Sequence, residues 1–165
     1  MKMLLIIGGA ASGKSVFAEQ KIFGRAAYLA TAKITDAEMA EKVRRHRERR
    51  GSNWTTFEEF DAALIRNLRG FDSILLDGLT LWISEKICAG DGEESIIFSL
   101  GELLGAARAQ SADFIIVSDE VGLSLIPDNK TARRFREVLG RANQLAAQVA
   151  DEVYLVVAGL SLRLK

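Results

Sequence analysis

The chain is poor in the residues that usually advertise a site: among 165 residues there is one cysteine, one proline and one histidine, and no surplus of either charge. The lone Cys88 excludes an internal disulfide and any cysteine-built metal cluster, and it suits a reducing compartment. The 22 Lys and Arg balance the 22 Asp and Glu, so no global field draws the molecule to nucleic acid or an anionic membrane. The interleaved aromatics of a nucleic-acid surface are also missing. Any electrostatic function must therefore be local. No apolar run approaches the ~18 to 20 residues of a membrane span. The short run Met3 to Ile7 leads into glycines instead of a cleavage site, so neither a signal peptide nor a span is expected, and a cytoplasmic enzyme is. Pro127 marks a turn, and with no repeat, low-complexity tract or linker, residues 1–165 are expected to form one domain.

What is present begins with Gly8, Gly9, Ala10, Ala11, Ser12, Gly13, Lys14 and Ser15. These residues satisfy G-x-x-x-x-G-K-[ST] between an apolar strand pattern and a helical one, which is the context that pattern requires. Glycines at both ends let the backbone close around a polyphosphate, with N–H groups facing the charge. Lys14 supplies a cation for the β- and γ-phosphates, and the Ser15 hydroxyl suits Mg²⁺. Phe71 to Asp77 is an apolar strand ending in a carboxylate, which in such a protein reads as the second metal-positioning residue, the alternative being an ordinary strand-terminal aspartate facing solvent. Ser15 and Asp77 are thus the expected metal pair.

The remaining pattern alternates strands and helices. Strands are expected at Lys2 to Ile7, Ala26 to Thr31, Phe71 to Asp77, Phe114 to Ser118 and Glu152 to Ala158, with a last one to Leu164 forming an edge hairpin. Helices are expected at Gly13 to Phe23, Asp36 to Arg50, Asp61 to Leu68, Leu79 to Cys88, Ser95 to Ala109 and Thr131 to Val149. Trp54 to Phe60 is ambiguous. This order predicts an α/β, mostly parallel sheet with its ligands beyond the carboxyl ends of the strands. Gly8 to Ser15, Thr31 to Lys33, Asp77 and Asp119 to Gly122 all fall there.

On the Asp36 to Arg50 segment, Met39, Ala40, Val43, His46 and Arg47 recur at spacings of three and four, which puts His46 on the inward stripe among five arginines. Two readings of His46 stay open on pattern alone. It is a packing and hydrogen-bonding residue, or it is a nucleophile that attacks phosphorus and passes through a phosphoramidate. The arginines suit charge developing on phosphates.

The loop, Tyr28-Leu29-Ala30-Thr31-Ala32-Lys33, His46 to Trp54, Leu76-Asp77-Gly78-Leu79-Thr80, Glu120-Val121-Gly122 with Ile126-Pro127, and Arg141-Ala142-Asn143-Gln144 together resemble the adenosylcobinamide kinase/adenosylcobinamide-phosphate guanylyltransferase family. The likeness runs in order along nearly the whole chain. It implies a three-layer P-loop NTPase-like (RecA-like) fold and a bifunctional enzyme of cobalamin biosynthesis. In the first reaction a nucleoside triphosphate (GTP or ATP) phosphorylates adenosylcobinamide. In the second, GMP passes from GTP to a histidine and then to adenosylcobinamide-phosphate. By position that histidine is His46. The resemblance also implies nucleotide contacts at Gly8 to Ser15, Thr31, Ala32, Lys33, Arg47, Glu48, Arg49, Arg50, Glu58 and Asp77, with Mg²⁺, and a homotrimer.

Two positions depart from the family pattern: Asp119 stands where asparagine is expected and Gly78 where cysteine is usual. The first adds a negative charge beside the expected site. Guanine preference rests on the resemblance, because Asn129-Lys130-Thr131-Ala132 lacks the aspartate of the N-K-x-D base-reading pattern. The competing reading is a P-loop small-molecule kinase without the guanylyl transfer.

Overall fold

The computed structural model describes residues 1–31, 41, 44 and 51–165. Of the expected Asp36 to Arg50 helix, only Glu41 and Arg44 fall among these; both are helical and share an ion pair of 2.7 Å. Ala32, Lys33, His46, Arg47, Glu48, Arg49 and Arg50 lie outside the described residues.

Strand β1 (Met3–Gly8) shows why the sheet is central. Met3 and Leu5 enter one apolar cluster while Leu4 and Ile6 enter another, and all four are buried. A strand apolar on both faces has to be covered on both, which is the situation of an interior parallel strand. It runs between β5 (Asp113–Asp119) and β6 (Glu152–Val157), parallel to each. Beyond β5 come β4 (Ser73–Asp77) and β2 (Ala26–Ala30), also parallel. The ambiguous stretch is β3 (Trp54–Phe57), parallel to β2 at one edge; β7 (Leu160–Arg163) is antiparallel to β6 at the other. The order is β3-β2-β4-β5-β1-β6-β7. The β6–β7 turn has Ala158 at φ 52° and Gly159 at φ 79°, the doubly left-handed turn that suits a two-residue hairpin.

Helices α2 (Ala62–Asn67), α3 (Leu79–Cys88), α4 (Glu93–Arg108) and α5 (Lys130–Val149) cover one face. Their Ile65, Leu79, Ile83, Leu100, Leu103 and Val138 pack on Leu5, Leu29, Leu76 and Ile116. The opposite face receives α1 (Lys14–Glu19), whose Ala18 and Phe17 meet Leu4, Ile6, Leu75 and Ile115. The result is the expected three-layer α/β arrangement with a C-terminal edge hairpin. Among the described residues no helix is long and apolar enough to cross a membrane.

One boundary differs from expectation because of a contact distant in sequence. Helix α1 stops at Glu19 instead of Phe23, because Phe23 N–H donates to Ser73 Oγ at 3.1 Å and Ser73 Oγ donates to Phe23 O at 2.9 Å. The chain is captured by β4 before another helical turn can close. Two caps were not anticipated as such: the Asp61 carboxylate accepts from Leu64 N and the Asn129 side chain from Ala132 N, each at 2.7 Å, which satisfies otherwise unpaired first-turn amides.

The amino ends of the strands carry a charged clasp remote from the carboxyl ends. Arg108 donates to both oxygens of Asp151 at 2.8 and 2.9 Å, and Met3 N donates to Asp151 at 2.7 Å. The guanidinium first, and then the Met3 amide, hold the Asp151 carboxyl at about 2, below its ordinary 3.8. Lys2 donates to Glu152 at 3.1 Å. The Tyr154 hydroxyl also donates to Glu152, at 2.7 Å, and this bond leads the causes that lower the Glu152 carboxyl.

Candidate active site

The sheet register gathers the chemistry-bearing residues. Gly8 of β1 lies opposite Asp119 of β5, Ala30 of β2 opposite Asp77 of β4, and Asp77 opposite Val117. Parallel strands therefore end together, and the loop after β1 sits beside two strand-terminal carboxylates.

Two glycines of that loop are required by geometry. A Cβ on Gly8 would overlap the Val156 carbonyl oxygen and approach Ser12 Oγ to 2.7 Å. Gly13 has φ +96° and faces the Gly159 Cα, to which an added Cβ would come within 3.3 Å. Left-handed backbone and close backbone approach both favour glycine. The loop is tied to the hairpin turn by Gly159 N–H donating to Ser12 O at 2.8 Å, and to α1 by Phe17 N–H donating to Gly13 O at 3.0 Å. Ser12 Oγ is the buried side-chain oxygen among the described residues that has no hydrogen-bond partner. It is a donor that the fold itself does not use, inside the loop whose sequence predicts an anion.

Lys14 Nζ reaches back to Gly9 O at 2.9 Å and forms an ion pair with Asp119 Oδ1 at 2.6 Å. Ser15 Oγ donates to Asp77 Oδ1 at 3.4 Å. The two expected metal residues, 62 positions apart in sequence, are thus brought together. A hydroxyl and a carboxylate are the hard oxygen donors that Mg²⁺ takes, with phosphate oxygens and water filling its other positions. Among the described residues no group of three or more His, Cys, Asp or Glu could hold a metal by itself, so a divalent ion here would depend on the ligand's phosphates.

Asp77 is held from several directions. Tyr28 Oη donates to its Oδ2 at 3.3 Å. Thr31 Oγ1 donates to the Asp77 carbonyl at 3.1 Å and accepts from Gly78 N at 2.9 Å. Thr31 is only 8% exposed, so its hydroxyl braces the Asp77–Gly78 peptide. Glu58 follows β3 at the same end of the sheet and is exposed.

Residues that motif reading did not assign to the site fix Asp119. Its N–H donates to Thr80 Oγ1 at 2.8 Å, and its carbonyl accepts from Asn143 Nδ2 at 3.0 Å. Asn143 Oδ1 in turn accepts from the buried Ser118 Oγ at 2.7 Å, while Glu120 N donates to Gly8 O at 3.0 Å. Thr80 and Asn143 belong to stretches that carried the family resemblance, but nothing in spacing alone told that they support a neighbouring strand end.

This combination of a phosphate-type loop, a lysine and a serine–aspartate pair at one sheet edge suits a polyphosphate with a divalent ion. Comparisons agree. Residues 4–164 match the family described as cobinamide kinase / cobinamide phosphate guanyltransferase. The chain is 35% identical over 180 residues to the bifunctional adenosylcobalamin biosynthesis protein CobU of Salmonella typhimurium, covering 99% of each chain. It is 32% identical to the protein of that name from Escherichia coli, again over 99% of each. It is 38% identical over 174 residues to the bifunctional adenosylcobalamin biosynthesis protein CobP of Pseudomonas aeruginosa, covering 98% of this chain and 96% of the relative. Among solved structures, a KaiC-like protein from Pyrococcus horikoshii superposes with TM-score 0.54 at 12% identity, covering 93% of this chain and 70% of that one. The P4 protein of bacteriophage phi6 in complex with ADP gives 0.50 at 10% identity, covering 97% and 52%. At such low identity these two speak for the RecA-like fold alone.

Proposed function

The chain belongs to the cobinamide kinase / cobinamide phosphate guanyltransferase family, and on that premise we propose how one sheet edge serves both reactions of a bifunctional enzyme of adenosylcobalamin biosynthesis. In the kinase reaction the acceptor hydroxyl of adenosylcobinamide attacks the γ-phosphorus of a nucleoside triphosphate, GTP or ATP. The bond to the bridging oxygen breaks and the nucleoside diphosphate leaves. In the second reaction a neutral His46 nitrogen attacks the α-phosphorus of GTP and pyrophosphate leaves. The phosphate of adenosylcobinamide-phosphate then displaces His46 from GMP, giving adenosylcobinamide-GDP.

The observation that carries this reading is the assembled loop: Lys14 beside Gly9, and Ser15 Oγ 3.4 Å from Asp77 Oδ1. Loop amides and Lys14 orient the phosphates, and Ser15 with Asp77 would hold Mg²⁺, which offsets phosphate charge when bound. Arg47, Arg49 and Arg50 are proposed to stabilise charge on the departing pyrophosphate. Glu48, Ala32, Lys33 and Glu58 complete the proposed nucleotide contacts.

Incubation with α-³²P-GTP tests the covalent step. Label stable to alkali and labile to acid is expected on the protein, and is expected to vanish in His46→Ala while cobinamide phosphorylation persists. Unlabelled wild-type protein that still phosphorylates cobinamide would leave the kinase reaction alone. A homotrimer is part of the same proposal. It is supported by β7, which among the described residues has no strand on its outer side, and by Val157, Leu160, Leu162 and Leu164, which are 54–76% exposed; light scattering measures it directly. The proposed setting is the cytoplasm, because both reactions consume nucleoside triphosphate.

A further inference from the structure

The ion pair between Lys14 Nζ and Asp119 Oδ1, 2.6 Å long, joins the cation of the phosphate loop to a carboxylate of the neighbouring strand. The Lys14 side chain is 13% exposed and that of Asp119 31%, so water screens the pair only in part. Asp119 is not a side chain that drifted to the nearest cation. Its backbone is fixed by Thr80 on α3, by Asn143 on α5 and, through Glu120, by the carbonyl of Gly8 at the mouth of the loop. Three elements therefore agree on where the charge stands.

A polyphosphate bound by this loop takes the Lys14 ammonium on its β- and γ-oxygens. Any such oxygen competes with Asp119 for the same three N–H donors, one of which already serves Gly9 O at 2.9 Å. A carboxylate retained on Lys14 would also stand within about 5 Å of the phosphate oxygens, with like charge. A ligand whose only phosphate is the α-phosphate does not reach Lys14 and meets neither effect.

We propose that Asp119 is an affinity-setting residue of the nucleotide site: a fixed counter-ion of Lys14 that weakens the binding of nucleoside di- and triphosphates and leaves monophosphates untouched. Its consequence is that the loop yields its polyphosphate product more readily. In a protein that must exchange nucleotides between two reactions, this shortens the time a spent diphosphate occupies the loop.

The inference rests on the reading of Gly8 to Ser15 as the polyphosphate site, and one titration separates the two. Binding of GTP, GDP and GMP, each with excess Mg²⁺, is measured by calorimetry on wild type, Asp119→Asn and Asp119→Ser. Asparagine keeps the shape and serine abandons it, while both remove the charge. The expected result is that GTP and GDP bind about fivefold more tightly to both variants, the size of one partly exposed ion pair, with GMP unchanged within about twofold. GDP release in stopped flow should slow by the same factor. Unchanged or weakened GTP and GDP binding in Asp119→Asn, as a metal ligand or a purely structural residue would give, overturns the inference while the site reading stands. Equal tightening of GMP overturns it as well. Wild type that binds neither GTP nor GDP removes the site reading and the inference together.

Discussion

Replacing Thr31 by valine is the most discriminating perturbation of the site, because the side chain keeps its shape and loses only its hydroxyl. That hydroxyl accepts from Gly78 N at 2.9 Å and donates to the Asp77 carbonyl at 3.1 Å, in a residue 8% exposed. The Asp77 carbonyl keeps a long contact from Tyr28 Oη at 3.5 Å, so the chief loss is a Gly78 amide left without its acceptor. An amide left without its acceptor costs about 1–3 kcal/mol, and with Gly78 half-buried the expected loss is about 2 kcal/mol. With a urea slope of about 1–3 kcal/mol per molar for a protein of this size, the midpoint should fall by roughly 1 M. The catalytic effect follows from what the peptide carries: Asp77 shifts relative to Ser15 Oγ, 3.4 Å away. Turnover should drop by more than about tenfold with the nucleotide KM nearly constant, and Thr31→Ser should recover most of both. Urea denaturation and steady-state kinetics of the two variants provide the test. A folded Thr31→Val protein within 0.5 kcal/mol of wild type would refute the bracing role. A raised KM with unchanged stability would instead favour direct contact between Thr31 and the nucleotide.

Gly8→Ala forces a methyl group against the Val156 carbonyl and, at 2.7 Å, Ser12 Oγ; the first of these is backbone and cannot swing aside. About 1–3 kcal/mol of destabilisation is expected, with nucleotide affinity lost in the same variant, measured by thermal shift with and without GTP. Asn143→Ala removes partners from the buried Ser118 hydroxyl and from the Asp119 carbonyl, and should cost about 2 kcal/mol in chemical denaturation. Asp151 has its carboxyl lowered to about 2 by Arg108 and the Met3 amide. A depressed carboxyl stabilises the fold above its ordinary value of 3.8, and that contribution fades as pH falls through about 2. Because the Asp151 side chain is 40% exposed, the contribution is discounted to about 1 kcal/mol. Asp151→Asn should be less stable by that amount near neutrality and should converge on wild type toward pH 2, a comparison read from denaturation at several pH values.

How much was legible beforehand depends on the range of the interaction. The run Met3 to Ile7 announces a doubly buried strand because every residue is apolar, and β1 is one. Trp54 to Phe57 could not be assigned, since two of its four residues are exposed threonines and its pairing comes only from the outer edge of β2. The end of α1 was missed because Ser73, fifty residues later, captures Phe23. Likewise Ser15 and Asp77 were legible as a pair through motif and strand-end logic, whereas Thr80 and Asn143 look like ordinary helix residues until the fold places them beside Asp119.

The sequence by itself determined the alternation of strands and helices, the anion-binding loop and the family. These depend on local periodicity and on glycines whose backbone freedom is intrinsic to the residue. The tertiary structure alone decided that Lys14 shares its charge with Asp119, that Thr31 braces Asp77 and that Ser12 keeps an unused hydroxyl. Such facts arise where parallel strands distant in sequence end side by side, and they are set by the register of the sheet, which no local stretch of the chain encodes.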